Sequence, residues 1–139
     1  MTFDQFRRLC LAMPETEERE TWGEATFRVR DRIFAMGSSE GGFVSVKASL
    51  DDQAGLLEMD PRTFSVSAYT GRFGWVRVRL RGVGAELAQQ LVANAWRRSA
   101  PRRLLSQYAT VGSAPKKPVA GRRGTDARSK AGPQRRRRR

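Results

Sequence analysis

The chain is 139 residues long and 39% hydrophobic, with a single cysteine and no histidine. That length supplies one core of ordinary size, the lone Cys10 excludes an intramolecular disulfide, and no apolar run reaches the roughly 18 residues of a membrane span. The net charge of +13 is unevenly spread: residues 1–109 hold 16 Lys+Arg against 13 Asp+Glu, whereas residues 110–139 hold 11 against Asp126 alone.

The N-terminus MTFDQFRRLC has no basic start followed by an apolar stretch, so no signal peptide is expected and a reducing cytoplasm fits best. Thr2 with Gln5 reads as a capping box, and Phe3, Phe6, Leu9, Cys10 and Met13 follow helical spacing until Pro14 closes the helix. Cys10 then lies on the apolar face as a small core residue rather than a reactive thiol. Glu15, Glu17, Glu18 and Glu20 follow without the spacing that would converge on one cation, and read as a solvated connector.

TFRVR and IFAMG are predicted strands about an Asp31-Arg32 turn, which sets Val29 opposite Phe34 and Phe27 opposite Met36, with Arg28 and Arg30 on the other face. After a flexible link from Ser38 to Gly42, FVSVK turns Val44 and Val46 inward and Lys47 outward. Ser49 and Asp52 open a short helix through Leu56, Leu57 and Met59, ended by Asp60-Pro61. FSVSAY resumes strand alternation, and Thr70-Gly71-Arg72 forms a loop. In WVRVRLR, Val76, Val78 and Leu80 face the core, which places Trp75, Arg77, Arg79 and Arg81 together on the opposite face. Gly82 and Gly84 precede a long helix with Leu87, Leu91, Ala95 and Trp96 at helical spacing. Ala100-Pro101 starts a last short helix, in which Leu104, Leu105 and Tyr108 are apolar and Arg102 and Arg103 are exposed. The expected fold class is α+β, a mostly antiparallel sheet with helices packed on one face.

The second segment, TVGSAPKKPVAGRRGTDARSKAGPQRRRRR, has Val111 and Val119 as its only large aliphatic residues and no aromatic. It lacks the apolar surface needed to offset the entropy of ordering, so residues 110–139 are expected to be a disordered basic tail behind a 1–109 domain.

The helix ending at Pro14, the acids around Glu18, TWGEATFRV, IFAM, VSVK, AYTGRFGWVRVRL and APRRLLSQY together resemble the MmcQ/YjbR family over residues 2–108. The resemblance implies a fold similar to the CyaY, or frataxin-like, fold and a double-wing arrangement proposed to bind DNA, with no catalytic residues to carry over. Related sequences often have His where Glu24 stands and Lys where Arg32 stands. The iron-binding acidic ridge of frataxin-like proteins has no counterpart, since Asp4 is the only acid between Thr2 and Met13.

Enzyme chemistry finds little to work with. Without histidine there is no imidazole base and no Ser-His-Asp or Cys-His arrangement; no Cys/His cluster can hold zinc, and GSSEGG lacks the Lys-Ser/Thr of a phosphate loop. The expectation is a non-enzymatic protein with no metal and no cofactor. The arginine-laced strands point instead to phosphate, which the planar guanidinium fork engages bidentately. Candidate nucleic-acid contacts are Arg28, Arg30, Arg72, Trp75, Arg77, Arg79, Arg81, Arg102 and Arg103 in the domain. Those in the tail are Lys116, Lys117, Arg122, Arg123, Arg135, Arg136, Arg137, Arg138 and Arg139. Trp75 is either placed to stack on a base or a core residue, and the tail is placed to neutralise phosphates without reading sequence. The expected partner is nucleic acid, most simply duplex DNA, and a nucleoid-associated role follows. The alternative is a small-ligand or protein-interaction module whose tail acts alone.

Overall fold

The computed structural model describes residues 1–108, so the expected tail and its candidate residues lie outside the described residues. Helix α1 (Phe3–Leu11) begins as the sequence requires: the Gln5 amide donates to Thr2 Oγ1 at 3.1 Å and the Thr2 amide donates to Gln5 Oε1 at 2.8 Å. Phe6 and Cys10 are its buried residues.

Six strands follow: β1 (Thr16–Thr21), β2 (Glu24–Val29), β3 (Arg32–Gly37), β4 (Phe43–Val46), β5 (Phe64–Val66) and β6 (Val76–Arg79). They form one antiparallel sheet in the order β1-β2-β3-β4-β6-β5. Helix α2 (Leu50–Met59) and β5 make the excursion that lets β6 return beside β4. Ser49 caps α2 by accepting the Asp52 amide at 3.0 Å. Helices α3 (Ala85–Ser99) and α4 (Arg102–Gln107) complete the domain, and the sheet and helices together are the expected α+β class.

The register separates two faces. Phe27, Ala35, Val46 and Val76 stand side by side across β2, β3, β4 and β6, all of them buried. Against this sheet pack α1, on β1, and α3, on β3 and β4. Trp96 is fully buried and its indole Nε1 donates to the Pro14 carbonyl at 2.9 Å, tying α3 to the end of α1. The buried residues of α3 are Ala88, Val92, Ala93, Ala95, Trp96 and Ser99. Leu87 and Leu91, expected there, are only half-buried, because small residues occupy the side of closest approach and the leucines flank it.

Three further expectations change. The acidic segment is a strand, not a loop: β1 pairs with β2 along its whole length, Thr16 opposite Val29 through Thr21 opposite Glu24. The β2–β3 turn is Arg30-Asp31, with φ of 51° and 67°, rather than Asp31-Arg32. Val29 therefore faces Arg32 and Phe27 faces Ala35, across a bulge that begins at Arg28. Two positive φ values match a tight hairpin to the strand twist, and a bulge absorbs the one-residue mismatch. Finally, FSVSAY is a strand only as far as Val66; beyond Ser67 the chain turns through a short 3₁₀ segment at Gly71–Phe73. Among the described residues no helix is long and apolar enough to cross a membrane.

Candidate nucleic-acid interface

Strand β6 carries the centre of the site. Its alternation buries Val76 and Val78 and exposes Arg77 and Arg79; just beyond it Leu80 is buried and Arg81 exposed. On the face opposite the core, Arg77 lies between Ser45 of β4 and Ser65 of β5, in a row that continues through Met36 and Thr26 to Arg19. Arg79 lies opposite Phe43. The neighbours of these arginines are therefore hydroxyls and a ring, not carboxylates. The Arg77 guanidinium carbon sits 3.6 Å from the Phe43 ring centroid, a cation–π contact that steadies the head without neutralising it.

Charge is segregated across the sheet. Residues 15–24 contain five glutamates and one arginine, whereas residues 61–85 contain five arginines and no carboxylate. These stretches form the two opposite edges, β1 and β5, with β6 next to β5. At the acidic end the arginines are paired: Arg7 with Glu18 at 2.6 Å, Arg19 with Glu17 and Asp31, and Arg30 with Glu15 at 2.8 Å. Among the described residues no carboxylate forms an ion pair with Arg62, Arg72, Arg77, Arg79 or Arg81. Acids touch the rim only. Asp60 shares a shallow concavity with Arg62, Arg79 and Arg81, and Glu24 and Glu40 share another with Arg77. The Thr63 hydroxyl, helped by backbone amides and Arg62, holds the Asp60 carboxyl below the usual carboxylate range, so it is an anion at neutral pH.

Most of the domain's predicted contacts are exposed, with two corrections. Arg28 does lie on the arginine face, half-buried, donating to Thr26 Oγ1 at 3.1 Å and Thr21 Oγ1 at 3.2 Å. Arg30 does not: it occupies the β2–β3 turn and is held by Glu15, which raises its guanidinium pKa further through a side-chain hydrogen bond and charge. Trp75 is also misplaced, being only 7% exposed. Strand β6 begins at Val76, so the alternation does not extend back to Trp75, and its ring is core rather than a surface for a base. Arg72 is exposed in the 3₁₀ segment, 4.9 Å over the Phe73 ring, and Arg102 and Arg103 are exposed on α4. Lys116, Lys117, Arg122, Arg123 and Arg135 to Arg139 lie outside the described residues.

Sequence reasoning missed the aromatics that are exposed. Tyr69 is 94% exposed and Phe73 63% exposed, both in the β5–β6 connection, and Trp22 is 98% exposed at the β1–β2 tip. The signal was present in AYTGRFGW, where Gly71 and Gly74 interrupt any regular alternation around Phe73 and just after Tyr69. Among the described residues no group of three or more His, Cys, Asp or Glu side chains could hold a metal ion.

A YjbR family model matches residues 11–98, well over half of the chain. The chain belongs to the YjbR family. The crystal structure of Deinococcus radiodurans protein DR2400, which carries a DUF419 domain, is similar to it, with a TM-score of 0.64 and 21% identity over 78% of this chain and 80% of that one. At that identity the likeness is one of fold. No curated protein matches the chain. The YjbR match spans β1 to β6 and most of α3, and so includes the arginine strand and the aromatic loop beside it.

Proposed function

We propose that this YjbR-family chain is a non-enzymatic DNA-binding protein that sets the β5–β6 side of its sheet against the phosphate backbone. The observation that carries the reading is that Arg77 and Arg79 on the exposed face of β6, and Arg81 in the turn just beyond it, have no carboxylate partner among the described residues, inside a 25-residue stretch with no acid. Exposed arginines without carboxylate partners keep their bidentate donors for an external anion, and phosphate is the anion whose geometry they match. Such contacts position a protein on nucleic acid without reading bases, so little sequence preference is expected. The basic segment 110–139 adds non-specific affinity, and a nucleoid-associated role follows from the two together. The absence of histidine from the whole sequence supports the non-enzymatic part of the reading.

A second reading has its own observation. Trp22 stands fully exposed on the acidic β1–β2 hairpin, which suits a protein partner better than a polyanion. The two are separated by titrating a labelled 30-bp duplex with full-length protein and with the Arg77→Ser, Arg79→Ser, Arg81→Ser triple variant over a salt series. The DNA reading expects weaker binding and a shallower salt dependence, by about 0.9 log units per log unit of salt for each phosphate no longer neutralised. Circular dichroism should be unchanged, because Val76, Val78 and Leu80 keep their buried positions. An unaltered salt slope in the triple variant would assign DNA affinity to the tail alone and leave the domain to the second reading.

A further inference from the structure

The β5–β6 connection, residues 67–74, is well tied down and yet turns its rings outward. Ser67 donates from its hydroxyl to Ser45 Oγ at 2.9 Å, fixing the start of the loop to β4. Gln53, buried on α2, donates from its amide nitrogen to the Gly71 and Trp75 carbonyls, both at 2.8 Å. Gly74 adopts φ of 101° with its α-carbon so close to the Ala48–Leu50 backbone that a Cβ would meet the Ala48 carbonyl at 2.6 Å. Tyr69 sits at φ of 64°, a conformation unfavourable for a bulky side chain. The loop is thus fixed at both ends and strained in the middle, and what it presents is Tyr69, Phe73 and, over the Phe73 ring, the Arg72 guanidinium.

Two exposed rings on a rigid loop, with a cation stacked on one of them and a strand of unpaired arginines leading away, match the elements that hold unpaired nucleotides. Bases stack on aromatic faces while cations follow the backbone. In an intact duplex the base faces are already occupied by their neighbours, so the rings gain nothing there. We infer that residues 67–74 form a stacking platform for unpaired bases, and that single-stranded DNA is the preferred partner of this face. The inference rests on the DNA-binding reading above and sharpens it: the arginines supply affinity for any DNA, and Tyr69 and Phe73 supply discrimination between single strand and duplex. Trp22, exposed on the β1–β2 hairpin, is flanked by Glu20 and Glu24 and takes no part.

The test is the ratio of affinities of full-length protein for labelled dT20 and for the dT20·dA20 duplex, measured by fluorescence anisotropy at one salt concentration. The variant is Tyr69→Asn with Phe73→Leu; asparagine tolerates the left-handed backbone and leucine keeps apolar bulk without a π-face. Wild type should favour dT20, and the variant should lose about tenfold of that preference, equivalent to about 1.4 kcal/mol and within the worth of one stacked base. Duplex affinity should stay within about twofold, and Trp22→Ala should leave both affinities unchanged. A preference unaffected by the double variant, or reduced equally by Trp22→Ala, overturns the platform while the arginine interface stands. A double variant that alters the sedimentation coefficient and not the ratio reassigns the loop to self-association. Duplex and single-strand binding that both survive the Arg77, Arg79, Arg81 triple variant with unchanged salt dependence would remove the interface reading itself.

Discussion

Cys10 shows how completely position decides chemistry for a single side chain. Its thiol is fully buried among the residues under α1, and burial first, then the nearby Glu18 carboxylate, push its pKa well above that of a free thiol. The folded state therefore holds the proton to higher pH than the unfolded chain, whose thiol ionises near pH 8.5. Any stability tied to this difference is present below that pH and lost above it. We expect the unfolding free energy of the wild type, from denaturant titrations, to fall between pH 7.5 and 9.5 by about 1.4 kcal/mol more than that of Cys10→Ala. Equal losses in the two proteins would show that the thiol titrates alike in both states. The same thiol should resist a disulfide reagent until the protein unfolds, since the thiolate is the reactive form.

At the scale of elements, β1 is joined to α1 by the Arg7–Glu18 pair, whose Nε and Oε1 lie 2.6 Å apart with side chains 43% and 28% exposed. Solvent screens such a pair, so Glu18→Gln should lower stability by no more than about 1 kcal/mol in thermal or chemical melts. A larger loss would mean that Glu18 anchors the edge strand rather than decorating it. Elements whose signals are local were legible in the sequence. The capping box of α1, the Ser49 cap of α2 and the alternation of β6 needed only neighbouring residues to declare themselves. Strand β1 was not legible, because TEERET has no apolar face; pairing with β2 makes it a strand, and its acids suit an exposed edge. The hairpin turn was displaced by one residue because arginine at φ of 51° gives no turn signal. Of the site, Arg77, Arg79 and Arg81 followed from periodicity, whereas Trp75 failed because periodicity was extended one residue past the strand. Tyr69 was missed because strand alternation was carried through FSVSAY past Val66, where the strand ends, and Phe73 because a ring beside a loop carries no periodicity of its own.

For the whole molecule, the division of labour between domain and tail is open to a direct test. Among the described residues every buried apolar side chain lies between Phe6 and Leu104, and the sequence beyond residue 109 offers Val111 and Val119 as its only large aliphatic residues. Truncation after Ala109 should leave circular dichroism and melting temperature within about 2 °C of full length. The eleven Lys+Arg removed should take most of the salt dependence of DNA binding with them and leave weak binding near 20 mM salt. A melting point several degrees lower would show that the tail stabilises the domain. Complete loss of low-salt binding would place all DNA affinity in the tail. The polarity of the sheet adds an orientation to the proposal: with acids along the β1 edge and arginines without carboxylate partners on β6, next to the β5 edge, the proposed polyanion would be repelled at the first and drawn to the second.

The exposed hairpin tip carries an optical consequence. The chain has three tryptophans, of which Trp75 and Trp96 are buried and Trp22 is almost wholly in water. Its emission is therefore a sum of two environments, a red-shifted component from the tip and a blue-shifted one from the core. The glutamates on either side of Trp22 favour approach of a cationic quencher such as caesium over an anionic one such as iodide, so the two components separate by the charge of the quencher. With Trp22 replaced by phenylalanine, the remaining fluorescence becomes a report on the core alone.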